Sequence, residues 1–393
     1  EHVRVVLTAQ GVDPKDIGLV VGSSVMKKWT LVNRPFAPEY PGDRTWNRNA
    51  AQLAYVPSSD IDNLKYDTWM KVLNHCGSGL DIAIKMNKWC QENFITTGGE
   101  YLRCWIASLI QYPLQPLPYL FLYGPQGSGK SILHESLRLL MTTGYARADA
   151  ALISQAGFNA ELENAVLCVI EETDLRANKS LAYNRIKDWV TSLMLSIHRK
   201  GKTPYNSPNS THWIQTGNEF EYCPIFPGDT RITMCYVQLH EQTIPRDELL
   251  EKLRKEAPDF LAMILKYEIP QSNGRLFVPV IDTEDKRQAQ EQNQSELERY
   301  IIEHCHYAPG QAIKFTDIYD KFIEQVDSNR VSYWSKIRFG KELPIRHPRG
   351  RLMKFAGQFF VANISYTPPT PDELLAPRYV VQDQTLYVEG EET

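Results

Sequence analysis

The stretch FLYGPQGSGKS, residues 121–131, decides how the rest of the chain is read. An apolar run (Leu120, Phe121, Leu122, Tyr123) stops at Gly124-Pro125. Gln126, Gly127, Ser128 and Gly129 follow, then Lys130-Ser131. After them Leu133, Leu137 and Leu140 recur at helical spacing. The predicted local order is strand, glycine loop, helix. Glycines let backbone N–H groups curl around phosphate oxygens without a Cβ in the way. The helix that begins there turns its positive end towards the same anion. Lys130 is placed to reach β- and γ-phosphates, and the Ser131 hydroxyl to ligate Mg2+. In this setting G-x-x-x-x-G-K-S predicts a nucleoside triphosphate site, with ATP and Mg2+ as the expected ligands.

Bulk properties set the limits around that loop. The 393 residues leave room for two or three domains with their own cores. The chain is 42% hydrophobic and carries a formal net charge of −4, so any surface for nucleic acid must be local. Its seven cysteines form no C-x-x-C pair, which reads as reduced thiols rather than a disulfide frame or a zinc site. No apolar run approaches the roughly 20 residues that span a bilayer, and no signal peptide is visible. A cytoplasmic location, without a membrane partner, is the expectation. The first residue is Glu1 and not Met, which reads as an excised fragment with something missing upstream.

Residues 1–60 are weakly patterned, and RPFAPEYPGDRTWNRNAAQL reads as an extended connector. Residues 61–115 turn helical. One helix carries Trp69, Val72 and Leu73, a second Ile82, Ile84, Met86 and Trp89, and a third Leu102, Trp105, Ile106 and Leu109. Such a bundle either packs on the nucleotide fold or forms an oligomerising collar.

The nucleotide core is expected over 116–290. VLCVIEETD, residues 166–174, is a buried-strand run ending in two carboxylates, forty-one residues after Lys130. At a strand end beside the phosphate loop, Glu171 can hold Mg2+ through water, and Glu172 can orient or deprotonate the attacking water. LSIHRKGKTPYNSPNSTHWIQTGN then predicts a basic hairpin. Its first strand, with Leu195 and Ile197 inward, leads into His198, Arg199, Lys200 and Lys202; the second strand is expected at 213–216. Four cationic or titratable side chains there suit a phosphate backbone, or a solvated turn. Asn218 ends the strand, either as a turn former or as an amide polarising the attacking water. Arg231 in PGDTRIT follows at a loop-to-strand junction, suited to a neighbouring subunit's γ-phosphate.

The polar run TEDKRQAQEQNQSE reads as a linker or the exposed start of a helix. Residues 291–366 give three helical patterns (Leu297/Ile301, Ile318/Phe322, Trp334/Ile337) and strand-like runs at 352–355 and 359–364. That is the order of a winged helix. Between 330 and 354 stand eight Lys/Arg, among them Lys336, Arg338, Arg349 and Arg351, against the single acid Glu342. Such a charge excess is a candidate nucleic-acid footprint, or else a solvated basic face or a dock for an acidic partner. Residues 367–393 are expected to wrap or trail.

Taken as a series, GPQGSGKS, VIEE, HRKGK, the Asn of WIQTGN and the Arg of GDTRI resemble superfamily 3 helicases of the phage and poxvirus primase-helicase type. WNRNAAQL, LRCWIASLIQYP and WSKIRFGKELP also resemble that group's prophage members, so the likeness runs from about residue 40 to 365. The resemblance implies an AAA+-like core in an α/β chain, assembled as a hexameric ring that moves along single-stranded or forked DNA on ATP hydrolysis. It implies that Lys130 and Ser131 take the triphosphate and Mg2+, Glu171 and Glu172 the metal and the water, and Asn218 a sensor role. Arg231 becomes a finger in trans, and Lys200, or its neighbour Lys202, tracks DNA. Such proteins commonly carry a primase-polymerase domain upstream; nothing here supplies its acidic metal site. Two other readings stay open. One is an ATP-switched initiator or loader that never unwinds; the other is a small-molecule kinase, weakened by the basic hairpin and the absence of an acceptor lid.

Overall fold

The computed structural model of the chain describes residues 2–23, 29–240, 244–270 and 272–390. Two compact units, Glu1–Ala289 and Gln290–Thr393, each have their own core.

The first unit is an α/β layer structure on five strands: β1 (Tyr119–Tyr123), β2 (Tyr145–Arg147), β3 (Leu167–Glu171), β6 (His212–Gly217) and β7 (Ile232–Tyr236). They run β2-β3-β6-β1-β7 across the sheet, and every pairing is parallel. YLFLY and LCVIE are near-continuous apolar runs because a parallel sheet is covered on both faces. Alternation then divides them. Leu120 and Leu122 pack with α1 (Asp67–Gly77), α2 (Gly98–Gln111), α3 (Ile132–Leu139) and α5 (Arg246–Lys266). Tyr119 and Phe121 face α4 (Lys179–Trp189) through Ala182 and Ile186.

The helices around residues 61–115 are bound into this core. Thr97 and Glu100 form a capping box that starts α2. A Cβ on Gly98 would stand 1.8 Å from the Gly77 carbonyl, so only glycine allows the two backbones to meet. Trp69 stacks on Phe260 at 4.2 Å, fixing α1 to α5. The helix expected across Ile82 and Trp89 is instead two short ones, Asp81–Met86 and Lys88–Glu92, because Asn87 caps the second through the Cys90 N–H.

Residues 1–60 differ from a plain connector. They form helices His2–Ala9 and Ile17–Ser23, and then a loop pinned to the core. Buried Asn47 accepts from the Arg34 N–H and donates to the carbonyls of Arg34, Ala37 and Pro38. Asn33 donates to Ser210 Oγ at 3.1 Å. The basic hairpin also differs. β4 (Met194–Ile197) pairs antiparallel with β5 (Tyr205–Pro208), not with 213–216, which is fully buried in the main sheet as β6. The polar run after 283 is helix α6 (Glu284–Gln292), with Lys286 buried rather than exposed.

The second unit contains α7 (Glu296–His304), strand β8 (His306–Lys314), α8 (Phe315–Gln325), α9 (Lys336–Glu342), and strands β9 (Arg349–Leu352) and β10 (Gln358–Ser365). Leu297, Ile301, Ile318, Phe322, Trp334 and Phe339 are its core. β8 was hidden in the sequence by Pro309 and Gly310, and its register shifts between Tyr307 and Ala312. Residues 353–355 form a short helical turn, not a strand. The segment expected to trail forms β11 (Tyr379–Gln382) and β12 (Thr385–Val388), giving the sheet order β8-β10-β9-β12-β11. All seven cysteines, in both units, are buried and unpaired.

Candidate functional site

Because β1, β3 and β6 are parallel, their C-terminal ends finish along one edge. Register partners Tyr123↔Gly217 and Glu171↔Thr216 set Gly124, Glu172 and Asn218 side by side there. At Gly124, φ is +149° and a Cβ would meet the Val237 carbonyl at 2.2 Å, so the chain can turn only without a side chain. Gly127 and Gly129 also have positive φ, and nothing lies within 4 Å of where a Gly127 Cβ would stand. Lys130 is 6% exposed. Its ammonium donates to the Gly124 and Pro125 carbonyls at 2.8 Å and to Asn218 Oδ1 at 3.2 Å. Burial lowers its pKa, and the Glu172 carboxylate opposes that shift.

Glu171 is held from two sides. Arg147 Nη1 lies 3.0 Å from Oε2, and His134 Nε2 3.2 Å from Oε1, though out of line for a hydrogen bond. Burial, aided by Arg147, pushes the His134 pKa down to about 4, so the imidazole is neutral near pH 7. Glu172 is exposed and left-handed, with φ +50° and its N–H donated to the Thr216 carbonyl at 3.0 Å. A non-glycine residue in that region is strained by about 1–3 kcal/mol, a feature that gathers at functional sites.

Two residues at this edge escaped the sequence reading. Thr216 Oγ1 is buried without a hydrogen-bond partner, one position from the strand end. The only signal was a polar residue inside WIQTGN. His75, from α1, donates through Nε2 to the Ser128 carbonyl at 2.7 Å and touches the loop from the helical layer. Nothing local in the sequence marks it.

An open glycine cradle, a buried ammonium, an orphan hydroxyl and two carboxylates suit a magnesium triphosphate. Among the described residues no group of three or more His, Cys, Asp or Glu forms a metal cage. Mg2+ commonly takes one or two carboxylates plus substrate phosphates, a set that Ser131 and Glu171 can complete.

Arg231 is not part of that edge. It precedes β7, beside the N-terminal end of β1, with Nε donating to the Lys187 carbonyl at 3.2 Å. Five residues of strand separate that end from the loop, about 17 Å at ~3.3 Å per residue.

The basic surfaces are less uniform than their charge count. In the hairpin, Arg199 is ion-paired with Glu163, which also accepts from the Tyr205 hydroxyl. His198 packs its ring on Phe158 at 4.9 Å. Lys200 and Lys202 are exposed beside Gly201, where φ is +73°. In the second unit Arg338 pairs with Glu342 at 2.8 Å and lies over the Tyr333 ring. Lys336 lies over Tyr319, and Arg351 over Phe359. Arg349 packs against Gly340, where a Cβ would collide with its guanidinium.

Residues 122–231 match a family model described as a family of unknown function, DUF5906. The DNA primase-polymerase of Nitratiruptor phage NrS-1 is 27% identical over 201 residues. This chain is a relative of that phage protein. The match takes in 50% of the chain but 27% of the phage protein's length. An apo structure of the NrS-1 C-terminal region shares the fold, with a TM-score of 0.54 at 20% identity over 81% of this chain and 74% of that one. A second apo form gives 0.52 at 19% identity, over 83% and 76%. Among the described residues no helix is long and apolar enough to cross a membrane.

Proposed function

We propose that this chain is an ATP-dependent DNA helicase motor of the superfamily 3, AAA+-like type, working as a homo-hexameric ring on single-stranded DNA. The observation that carries the reading is the division of parts between opposite ends of one sheet. The glycine loop, Lys130, Glu171, Glu172 and Asn218 gather at the C-terminal edge, while Arg231 stands about 17 Å away. That distance keeps Arg231 from its own subunit's loop and supports a role at a neighbouring subunit's triphosphate.

The loop N–H groups and Lys130 would bind the phosphates, and Glu172 would orient the attacking water, with Asn218 beside it. Mg2+, held by Ser131 and Glu171, would supply neutralisation of the phosphate charge. Arg231 of the adjacent subunit would stabilise charge on the transferred group. Lys200 and its neighbour Lys202 are the exposed cations of the hairpin, and Lys200 is proposed to draw a strand by its phosphates. The relation to the C-terminal region of a phage primase-polymerase supports a place behind an upstream primase-polymerase domain, acting in a host cytoplasm. The domain series of helical layer, ATPase core and winged-helix-like end belongs to the same proposal.

ATP hydrolysis with and without single-stranded DNA, with light scattering for mass, tests it. A ring-sized assembly whose turnover rises several-fold with DNA supports the motor. Unwinding of a forked duplex then separates a motor from an initiator that uses ATP as an assembly switch. A monomer whose hydrolysis ignores DNA would sink the proposal.

A further inference from the structure

The turn that carries Arg231 is PGDTR, residues 227–231, and its Asp229 is 6% exposed. Asp229 Oδ1 accepts the backbone N–H of Arg231 at 3.0 Å and of Ile232 at 2.9 Å. Oδ2 accepts the Tyr183 hydroxyl at 3.1 Å. The Lys286 ammonium lies 3.3 Å from Oδ1 and donates to the Asp229 carbonyl at 3.0 Å. Lys286 is 1% exposed and Tyr183 8%. Lys286 is itself set by Thr283, whose Oγ1 accepts the Lys286 N–H and donates to the Met234 carbonyl on β7.

A buried ion pair is a poor source of stability, since desolvation offsets most of its Coulomb attraction. Replacing both partners by apolar residues would be close to neutral, whereas removing Lys286 alone leaves the Asp229 carboxylate buried without its partner. What the pair does fix is direction. Asp229 Oδ1 gathers the backbone N–H groups of Arg231 and Ile232, Tyr183 and Lys286 hold the carboxylate itself, and α4 holds the turn twice. Tyr183 grips it through Asp229, and one helical turn later the Lys187 carbonyl takes the Arg231 guanidinium.

We infer that Asp229, Lys286 and Tyr183 are positioning residues that aim the Arg231 guanidinium across the subunit boundary. The inference rests on the trans-arginine reading proposed above. None of the three reaches the nucleotide loop, which lies at the far edge of the sheet. Their loss therefore lowers turnover and leaves ATP binding alone.

The test compares Lys286→Met and Tyr183→Phe with Arg231→Ala in the full chain, after circular dichroism has established folding. The expected result is a kcat about tenfold lower for Lys286→Met and about threefold lower for Tyr183→Phe, with KM for ATP within about twofold. Mixing Lys286→Met with Glu172→Gln should recover turnover, because the second chain brings a correctly aimed arginine to the first chain's intact loop. A general folding defect would give no such recovery. If Lys286→Met does not fold, Tyr183→Phe decides alone. Folded variants with unchanged kcat overturn the inference, as does a mixture that recovers nothing while the Arg231→Ala mixture does. Normal turnover by Arg231→Ala itself would instead remove the trans-arginine reading, so the two failures are distinguishable.

Discussion

Lys130 and Lys200 both sit beside a loop glycine that has positive φ, and the chain treats them in opposite ways. Lys130 is buried, with its ammonium on the Gly124 and Pro125 carbonyls and on Asn218. Lys200 is exposed and has no ion pair among the described residues. Around Lys130 the backbone makes the site, so the glycines and the lysine of GPQGSGKS are demanded by local geometry. Around Lys200 the site is charge alone, and charge counted along a sequence overstates what is available. Arg199 is committed to Glu163 and His198 is packed on Phe158, which leaves two of the four side chains open to a ligand.

The largest expected contrast is Lys130→Ala, which should abolish ATP hydrolysis in a phosphate-release assay whether or not DNA is present. Arg231→Ala should lower kcat by about a thousandfold or more, since arginine fingers act at that scale. Mixing it with Glu172→Gln chains should restore part of the turnover. Lys200→Ala should keep basal hydrolysis but lose DNA stimulation and forked-duplex unwinding; normal unwinding by this variant would erase the contrast. Arg199→Ala should leave DNA stimulation near the parent level and lower the melting temperature slightly, because its partner is Glu163 and not DNA. Replacing Lys200 and Lys202 together by alanine should reduce the salt slope of single-stranded DNA binding by about 1.4, or about 0.7 per phosphate contact.

The smallest effect concerns acid stability. Burial pushes His212 and His347 down to about 4. Between pH 6.5 and 4 the unfolded chain binds protons that the folded chain refuses, so stability is whole above pH 6.5 and falls towards pH 4. Urea midpoints at pH 7 and pH 5 should show that loss, with a shallower slope in His212→Gln.

Much of the edge that carries the glycine loop was legible because its parts are strand ends in a fixed order. Glu171, Glu172 and Asn218 follow buried runs whose parallel pairing brings their ends together. Elsewhere the reading failed for identifiable reasons. The return strand of the hairpin is the polar, proline-containing Tyr205–Pro208, while the apolar stretch that resembled it belongs to the sheet centre. A buried lysine inside TEDKRQAQEQNQSE looks like any solvated one until Asp229 stands opposite it. His75 and Thr216 matter through neighbours that sit far off in the chain or on an adjacent strand, which no local pattern encodes.

The cysteines, buried in both units, have a practical consequence. Burial pushes Cys76, Cys90 and Cys104 to about 12 and Cys305 to about 11, and raises Cys168, Cys223 and Cys235 as well. Almost no thiolate exists at neutral pH, and the thiolate is the form that reacts with maleimides. The native chain is therefore a quiet background for labelling. A single cysteine placed at Lys202 would take a fluorophore at the hairpin tip alone, so that the proposed coupling of hairpin movement to hydrolysis could be followed directly.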